Sequence, residues 1–292
     1  MALSVVIFGA GRVGQALGQR LHAAGVDLLG YVGRDPARTA AAIAWVGDGK
    51  VPVVPAHTHA QAHVVLFAVG DGDLPAAVRS AAAQHAPRPC SLWLHTSGRH
   101  GLEVFDGVPG IRRGILHPAA PFADGRSASA SIAGAPAVVV GDTNARTLLQ
   151  GLCRRLGMQP VLGQPGDRSL YHAACALAAN GMTALWAAAQ AAMSASGVLD
   201  AAAAAKVVAA LVAAADRSCQ ERGPAAALSG PVRRGDAATV LAHVQALQQH
   251  APASAAAYRS LSVLALALAQ QAGLAAGDVA ALARALGVSP PT

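Results

Sequence analysis

Apolar and polar residues follow two different spacings along the first half of the chain. Short apolar runs have the length of buried strands, and between them apolar residues recur every three or four positions, as on one face of a helix. The runs predict strands over 3–8, 27–32, 64–69, 91–95, 114–116 and 136–140, and the periodic segments predict helices over 12–24, 36–46, 74–86 and 143–156. Strands that alternate with helices across short connections predict a doubly wound, mostly parallel α/β sheet.

The spacing changes at Gly163-Gln164-Pro165-Gly166, and the pattern predicts no strand after it. Glycine and proline breakers then separate predicted helices over 168–196, 199–221, 236–250, 252–272 and 277–287. Asp236 is the predicted N-cap of the third of these helices. The sequence therefore predicts two domains, an α/β domain over 1–163 and an all-helical domain over 164–292.

The first predicted strand opens directly into a glycine-rich turn of the form G-x-G-x-x-G. The first glycine allows the tight turn, the second the approach of a pyrophosphate, and the third the packing of helix on strand. The helix that follows would point its free N–H groups at the phosphates. The motif predicts a dinucleotide-binding Rossmann domain, with a turn that binds no ligand as the alternative. The predicted contacts are Gly9, Gly11, Arg12, Val13 and Gly14.

The end of the second predicted strand indicates which dinucleotide is bound. Domains that bind NAD place an acidic residue there for the ribose 2′-hydroxyl, but this chain continues from Val32 into Gly33 and Arg34. A guanidinium forms two parallel hydrogen bonds to a phosphate, so Arg34 predicts NADP. The alternative is that Asp35 caps the next helix and Arg34 is only solvated.

Polar residues also follow three other strands where ligands of α/β sheets bind, beyond the carboxyl ends. Val69 and Gly70 end the third strand and are predicted to lie near the nicotinamide ribose; a turn with a helix cap is the alternative. His95 and Ser97 end the fourth strand, and His117 ends the fifth. A histidine titrates near neutral pH, so His117 is the predicted acid or base, and Ser97 and His95 are predicted to contact substrate. The alternative is that these histidines only satisfy local hydrogen bonds.

Composition excludes several other classes of protein. The chain carries a net charge of +7, but its arginines are dispersed and form no basic stripe with aromatic residues, so no nucleic-acid partner is predicted. Mean hydropathy is +0.40, yet the longest apolar stretches are alanine runs interrupted by polar residues, so no membrane span is predicted. The N-terminus shows no signal peptide, and four scattered cysteines predict reduced thiols, no metal site and a cytoplasmic protein.

Three motifs in order, H-T-S-G at 95–98, H-P-x-x-P-F at 117–122 and S-G-P-V-x-R-G-D at 229–236, carry a family resemblance together with residues 171–180. The chain resembles a bacterial family of oxidoreductases with a Rossmann-like N-terminal domain and an all-helical C-terminal domain of unknown function. That family is related in fold to 6-phosphogluconate dehydrogenase and pyrroline-5-carboxylate reductase. The resemblance implies an NADP-linked enzyme that dimerises through the helical domain.

The chain departs from the related hydroxyacid dehydrogenases at one position. Those enzymes place a catalytic lysine one helical turn before an asparagine; here Asn180 is present, but Ala176 stands in the place of the lysine. Asn180 is predicted to orient substrate, with bonding between helices as the alternative. His172 and Arg234 are further substrate candidates, although they could instead serve the domain junction and a connection between helices.

Together these features predict an NADP-dependent oxidoreductase that transfers hydride to or from a small carbonyl or imine carrying a carboxylate. The predicted catalytic residues are His117, Ser97 and Asn180. Because the lysine is missing, the alternative is a non-catalytic NADP-binding sensor or scaffold. Large side chains on the first helix of an otherwise alanine-rich domain predict a homodimer, with the core of a single subunit as the alternative place for them.

Overall fold

The computed structural model describes residues 3–289 and divides the chain into two compact units after Ala176. The sequence predicts this division at residue 163. The structure places it later because helix α6 (Arg168–Ala176) contacts the strand ends of the first unit through Arg168 and Tyr171. Apolar spacing finds the helix, but it contains no information about which unit the helix packs against.

The first unit is built on a seven-stranded sheet. Its strands are β1 (Ser4–Phe8), β2 (Asp27–Val32), β3 (Val64–Phe67), β4 (Leu92–His95), β5 (Arg112–Pro118), β6 (Pro136–Gly141) and β7 (Gln159–Leu162). They lie in the order β2-β1-β3-β4-β5-β6-β7, and every neighbouring pair is parallel except β5 and β6. Because β2 and β3 leave β1 on opposite sides, the order reverses at β1, where ligands of such sheets bind.

Helices cover both faces of this sheet. They are α1 (Arg12–Ala23), α2 (Pro36–Ile43), α3 (Leu74–Gln84), α4 (Gly125–Ser131) and α5 (Thr143–Arg155), with shorter 3₁₀ turns at Val46–Gly49, Ala56–Gln61 and Leu102–Phe105. One face buries aliphatic side chains of the strands against Leu17 of α1 and Leu149 of α5. The other face buries an aromatic cluster that includes Phe67, Trp93 and Phe105.

Helix α1 approaches the sheet closely because two of its residues are glycines. A Cβ at Gly14 would overlap the carbonyl oxygen of Gly9, and a Cβ at Gly18 would overlap the hydroxyl of Tyr31. Tyr31 is fully buried in β2, and its hydroxyl donates a hydrogen bond of 2.8 Å to the carbonyl oxygen of Gly14. The buried phenol thus links β2 to the first turns of α1 without leaving its polar atom unpaired.

The second unit is helical throughout its described residues. A π-helical turn at Leu177–Gly181 leads into α7 (Met182–Ala195), and α8 (Ala201–Arg222), α9 (Pro224–Ala227), α10 (Gly230–Arg233), α11 (Ala237–His250), α12 (Pro252–Gln271) and α13 (Ala276–Leu286) follow. The core lies between the last four helices and contains Val232, Val240, Leu266 and Leu282. Asp236 caps α11, as predicted, by accepting a 3.0 Å hydrogen bond from the Thr239 amide.

The predicted mostly parallel α/β sheet followed by helices is confirmed, but the sheet also contains strand β7, which the apolar pattern does not predict. Its sequence contains Pro160, and three of its four residues are exposed, so it carries no buried apolar run. Proline is tolerated there because β7 is an edge strand. Helix α4 is not predicted either, because its serine-rich sequence has no periodic apolar residues. It is capped by Asp124, which accepts hydrogen bonds from two amides.

Among residues 3–289, only helix α12 is long and apolar enough to cross a membrane by length and composition, with a mean hydropathy of 1.2. All four cysteines in the described part are free thiols, of which Cys153 is buried.

Candidate functional site

The glycine-rich turn after β1 forms an open cradle at the reversal of strand order. Gly9 has a φ of +103°, and its Cβ would collide with the main chain of Ala68 after β3, so only glycine fits. Gly11 precedes α1 and is exposed, and a Cβ there would meet no atom within 4 Å. Within residues 3–289 no side chain caps α1, so its first amides remain available to an anion. Arg12 is exposed beside them, while Val13 packs into the core.

Arg34 follows β2 as predicted, but it is not simply solvated. Its guanidinium donates two hydrogen bonds, of 3.3 and 3.2 Å, to the two carboxylate oxygens of Asp73. The side chains are 88% and 52% exposed, so the pair contributes little stability and an incoming phosphate can displace it. Asp35 caps α2 through the Arg38 amide, as the alternative proposed.

Asp73 reaches Arg34 from the turn after β3. Val69 lies against Gly9, and the carbonyl oxygen of Gly70 accepts hydrogen bonds from the amides of Asp73 and Leu74. This turn therefore begins α3 and at the same time borders the glycine-rich cradle. Val69 and Gly70 accordingly lie beside the predicted nucleotide site.

His95 ends β4 and is fully buried. Its Nδ1 accepts a hydrogen bond from the Ser97 amide at 3.2 Å, so Nε2 carries the proton and donates to the Gly101 carbonyl oxygen at 3.1 Å. Burial lowers the pKa of His95 to about 4, which keeps the ring neutral. Both ring nitrogens are used within the protein, so His95 fixes the loop that carries Ser97. A contact between His95 and substrate stays a prediction.

Ser97 is 6% exposed and organises the turn after β4. Its Oγ accepts hydrogen bonds from the amides of Arg99 at 3.1 Å and His100 at 3.0 Å, and neither bond uses the hydroxyl proton. Its carbonyl oxygen accepts a 3.2 Å hydrogen bond from Nη2 of Arg168 on α6. The loop is thus held from both sides, and Ser97 keeps a proton to donate.

His117 lies near the end of β5, where the antiparallel neighbour β6 continues the sheet. Its Nδ1 is 2.9 Å from the hydroxyl of Tyr171, and its ring stands perpendicular to that of His172 with 6.1 Å between centroids. A Cβ at Gly98 would overlap His172 and lie 3.0 Å from His117 Nε2, so the glycine admits both imidazoles. The structure therefore brings Ser97, His117 and His172 together, and their contact with substrate stays a prediction.

The pKa of His117 is lowered to about 4, first by burial and then by the positive charge of Arg168. The imidazole is therefore neutral at neutral pH. The neutral ring carries one proton: with that proton on Nε2 the Tyr171 hydroxyl donates to Nδ1, and with it on Nδ1 the tyrosine oxygen accepts and Nε2 becomes an acceptor. Burial raises the pKa of Tyr171 to about 12, so this phenol also stays protonated.

Arg168 is the residue of the site that the sequence analysis missed. Its Cζ lies 4.5 Å from the centre of the Tyr171 ring, and it lines a cavity of about 340 Å³ with Leu102, Glu103, Ile115 and Val140 among the other walls. The available signal was the spacing Arg168-x-x-Tyr171, which places the two side chains on one helix face.

Asn180 and Arg234 belong to the second unit. Asn180 is exposed in the π-helical turn, a feature that often marks functional positions, and Arg234 is exposed after α10. Their contribution to a substrate site stays a prediction. Within residues 3–289 no group of three or more His, Cys, Asp or Glu side chains is arranged to hold a metal ion.

Family models match both parts of the chain. Residues 1–119 match a Rossmann-like domain, and residues 135–265 match a domain of unknown function named DUF2520. These matches confirm the predicted combination of a Rossmann-like domain with a C-terminal domain of unknown function. No curated protein matches the chain in sequence.

Solved structures with the same fold include three reductase-type proteins. A candidate NADP oxidoreductase from Bacteroides fragilis has a TM-score of 0.72 and 20% identity over 91% of this chain and 98% of its own. An imine reductase from Pseudomonas sp. has a TM-score of 0.66 and 18% identity over 98% of this chain and 100% of its own. A pyrroline-5-carboxylate reductase from Coxiella burnetii has a TM-score of 0.56 and 15% identity over 93% and 98%.

The neutral His95 makes folding stability sensitive to acid. Its pKa is about 4 in the folded protein and near 6.5 in the unfolded chain, so the unfolded chain binds more protons between these values. The contribution of neutral His95 to the free energy of unfolding is therefore complete above about pH 6.5. It falls by up to about 3 kcal/mol as the pH decreases toward about 4. Urea unfolding at a series of pH values measures this loss.

The variant His95→Gln should show a shallower loss than the unmutated protein, since its side chain does not titrate. His57→Gln, at an exposed histidine, is the control and should keep the full slope. Equal slopes for His95→Gln and the unmutated protein would contradict the role of His95.

Proposed function

We propose that this protein is an NADP-dependent oxidoreductase that transfers hydride between the nicotinamide and a small imine or carbonyl substrate. The observation that carries the proposal is the cluster of Ser97, His117, Arg168 and Tyr171 at the carboxyl ends of β4 and β5. It lies on the same sheet edge as the glycine-rich turn after β1. The names of the three similar structures, which have the same fold, support this class of reaction.

The residues present fit the cofactor. The exposed Gly11 and the uncapped amides of α1 suit a pyrophosphate, and Arg34 suits the 2′-phosphate of NADP. Val69 and Gly70 would border the nicotinamide ribose. When bound, the nicotinamide supplies or accepts the hydride, and the protein orients the substrate and manages the proton.

The protonation state of His117 favours an imine over a carbonyl. A carbonyl oxygen needs a proton when hydride arrives, and a neutral imidazole is a weak donor. A protonated imine arrives with its own proton and donates through its N–H, so it needs only an acceptor, which is Nε2 of His117 when the imidazole proton resides on Nδ1. The Ser97 hydroxyl can then donate to an oxygen of the substrate. In the reverse direction, a neutral His117 accepts a proton from the substrate. We also propose that the protein is cytoplasmic.

Cofactor choice is tested at Arg34. We expect the unmutated protein to bind NADPH more tightly than NADH, and Arg34→Ala to weaken NADPH binding by about 1–3 kcal/mol through loss of charged hydrogen bonds. NADH binding should hardly change. Asp73→Asn should strengthen NADPH binding, because the 2′-phosphate then neither competes with the Asp73 carboxylate for Arg34 nor is repelled by its charge. Calorimetric titration gives the affinities, and equal affinities for the two cofactors in the unmutated protein would rule out the assignment.

Turnover is tested by NADPH consumption with a panel of cyclic imines and 2-oxo acids. We expect cyclic imines to be reduced, and His117→Ala to lower kcat by about 10–100-fold, through loss of one hydrogen bond to a charged substrate, while the Kd for NADPH stays unchanged. His85→Ala, an exposed histidine after α3, is the matched control. NADPH binding without turnover of any panel member would instead support the non-catalytic sensor.

We also propose that the second unit forms a homodimer. Its helices expose large apolar side chains, including Leu177 at 75%, Leu211 at 60% and Leu264 at 65%, and α7 has no buried residue among those described. Exposed apolar area of this kind is stabilised when it packs against a second copy.

Sedimentation at micromolar concentration should then give about twice the chain mass of 29.0 kDa. Leu211→Glu places a charge on the exposed face and should shift the protein toward monomer. Leu148→Glu, at an exposed leucine of α5 in the first unit, should leave the dimer intact. A monomeric unmutated protein that still binds NADPH would disprove the dimer.

A further inference from the structure

We infer that Arg168 binds a carboxylate group of the substrate, so that the enzyme takes a small imine or oxo compound bearing an acid. The inference rests on the proposed function and adds the group that recognises the substrate. It starts from the surroundings of one guanidinium, which occupies the centre of the polar cluster in the first unit.

The guanidinium of Arg168 is held in one orientation by neutral partners. Nη2 donates to the Ser97 carbonyl oxygen at 3.2 Å, and the Tyr171 ring lies beneath the guanidinium, with 4.5 Å between Cζ and the ring centre. A carbonyl and an aromatic face orient a cation but do not neutralise it. The planar group is therefore fixed before any ligand binds, which reduces the entropy lost on binding.

The charge of Arg168 has no carboxylate partner among residues 3–289. The ion pairs of the described chain involve Arg34 and Arg113, with Asp73, Asp106 and Asp142 as their acids. Nε of Arg168 is buried without a hydrogen-bond partner, and burial lowers the pKa of the side chain. A partly desolvated cation without a counter-ion is costly to the fold, and an anionic ligand would offset that cost.

The acidic residues near Arg168 are already engaged elsewhere. Glu103 and Asp167 line the same cavity, but a carboxylate oxygen of Glu103 accepts from the Gly101 amide at 2.8 Å and one of Asp167 from the Leu170 amide at 2.9 Å. Both hold local turns. The two carboxylates disfavour an anion on their own side, so the ligand carboxylate is expected on the side of Ser97, close to His117.

The position of Arg168 suits a substrate anchor. It binds the same loop that presents the Ser97 hydroxyl, and it stacks on the tyrosine that is hydrogen-bonded to His117. A carboxylate bound by Arg168 would therefore place the neighbouring carbon near the two groups assigned to orient the imine nitrogen or carbonyl oxygen. Apolar walls at Leu102, Ile115 and Val140 leave room for a small hydrocarbon ring or chain.

The test compares two cyclic imines that differ only in a ring carboxylate. We expect Arg168→Gln to lower kcat/KM for the carboxylate-bearing imine about 100-fold more than it lowers kcat/KM for the unsubstituted imine, with the extra loss chiefly in KM. Arg168→Lys should be intermediate, because it keeps the charge and loses the planar fork. Arg155→Gln, which removes an exposed arginine of α5, is the matched control and should affect neither imine.

A binding measurement separates failure of this inference from failure of the proposed function. The probe is tetrahydrofuran-2-carboxylate, which cannot be reduced, and it is titrated calorimetrically with and without NADPH. The control ligand is tetrahydrofuran-2-methanol, in which a neutral CH₂OH group replaces the carboxylate. We expect the unmutated protein to bind the acid and Arg168→Gln to lose that binding, whether or not any imine is turned over. Equal losses for both imines, or equal probe binding by the unmutated protein and Arg168→Gln, would overturn the assignment.

Discussion

The first unit depends on how closely helix α1 approaches the sheet. Gly14 clears the carbonyl oxygen of Gly9, and Gly18 clears the buried hydroxyl of Tyr31, so the helix begins immediately beyond the end of β1. This approach places the uncapped amides of α1 at the point where the strand order reverses, between β1 and β3. The phosphate-binding geometry and the packing of the core therefore have one cause. A side chain at any of these glycines would disturb both.

Burial determines the chemistry of the strand ends. His95 and His117 follow neighbouring strands, and burial lowers the pKa of each to about 4. Their hydrogen bonds nevertheless differ. His95 uses both nitrogens to hold the Ser97 loop, whereas His117 has one nitrogen bonded to Tyr171 and the other beside Gly98. Two histidines in similar sequence settings therefore have different roles, one as a support of the loop and one as a participant in the proposed reaction.

The two units obtain their stability in different ways. The first buries aromatic and branched aliphatic side chains on both faces of a sheet, and these provide large contacts. The second has a small core of mostly valine, leucine and alanine, and several of its large apolar side chains stay exposed. An alanine-rich helical unit with exposed leucines gains more from association than the sheet unit does.

The sequence by itself determined the order of most strands and helices, the glycine cradle, the arginine after β2 and the caps at Asp35 and Asp236, because each depends on local spacing or on neighbouring residues. Only the tertiary structure decided the antiparallel pairing of β5 with β6, the edge strand β7, the unit to which α6 belongs, and the different roles of His95 and His117. It also revealed Arg168, more than seventy residues from the loop it holds in place. These features depend on contacts between distant segments and on burial, and neither is encoded in the spacing of apolar residues along the chain.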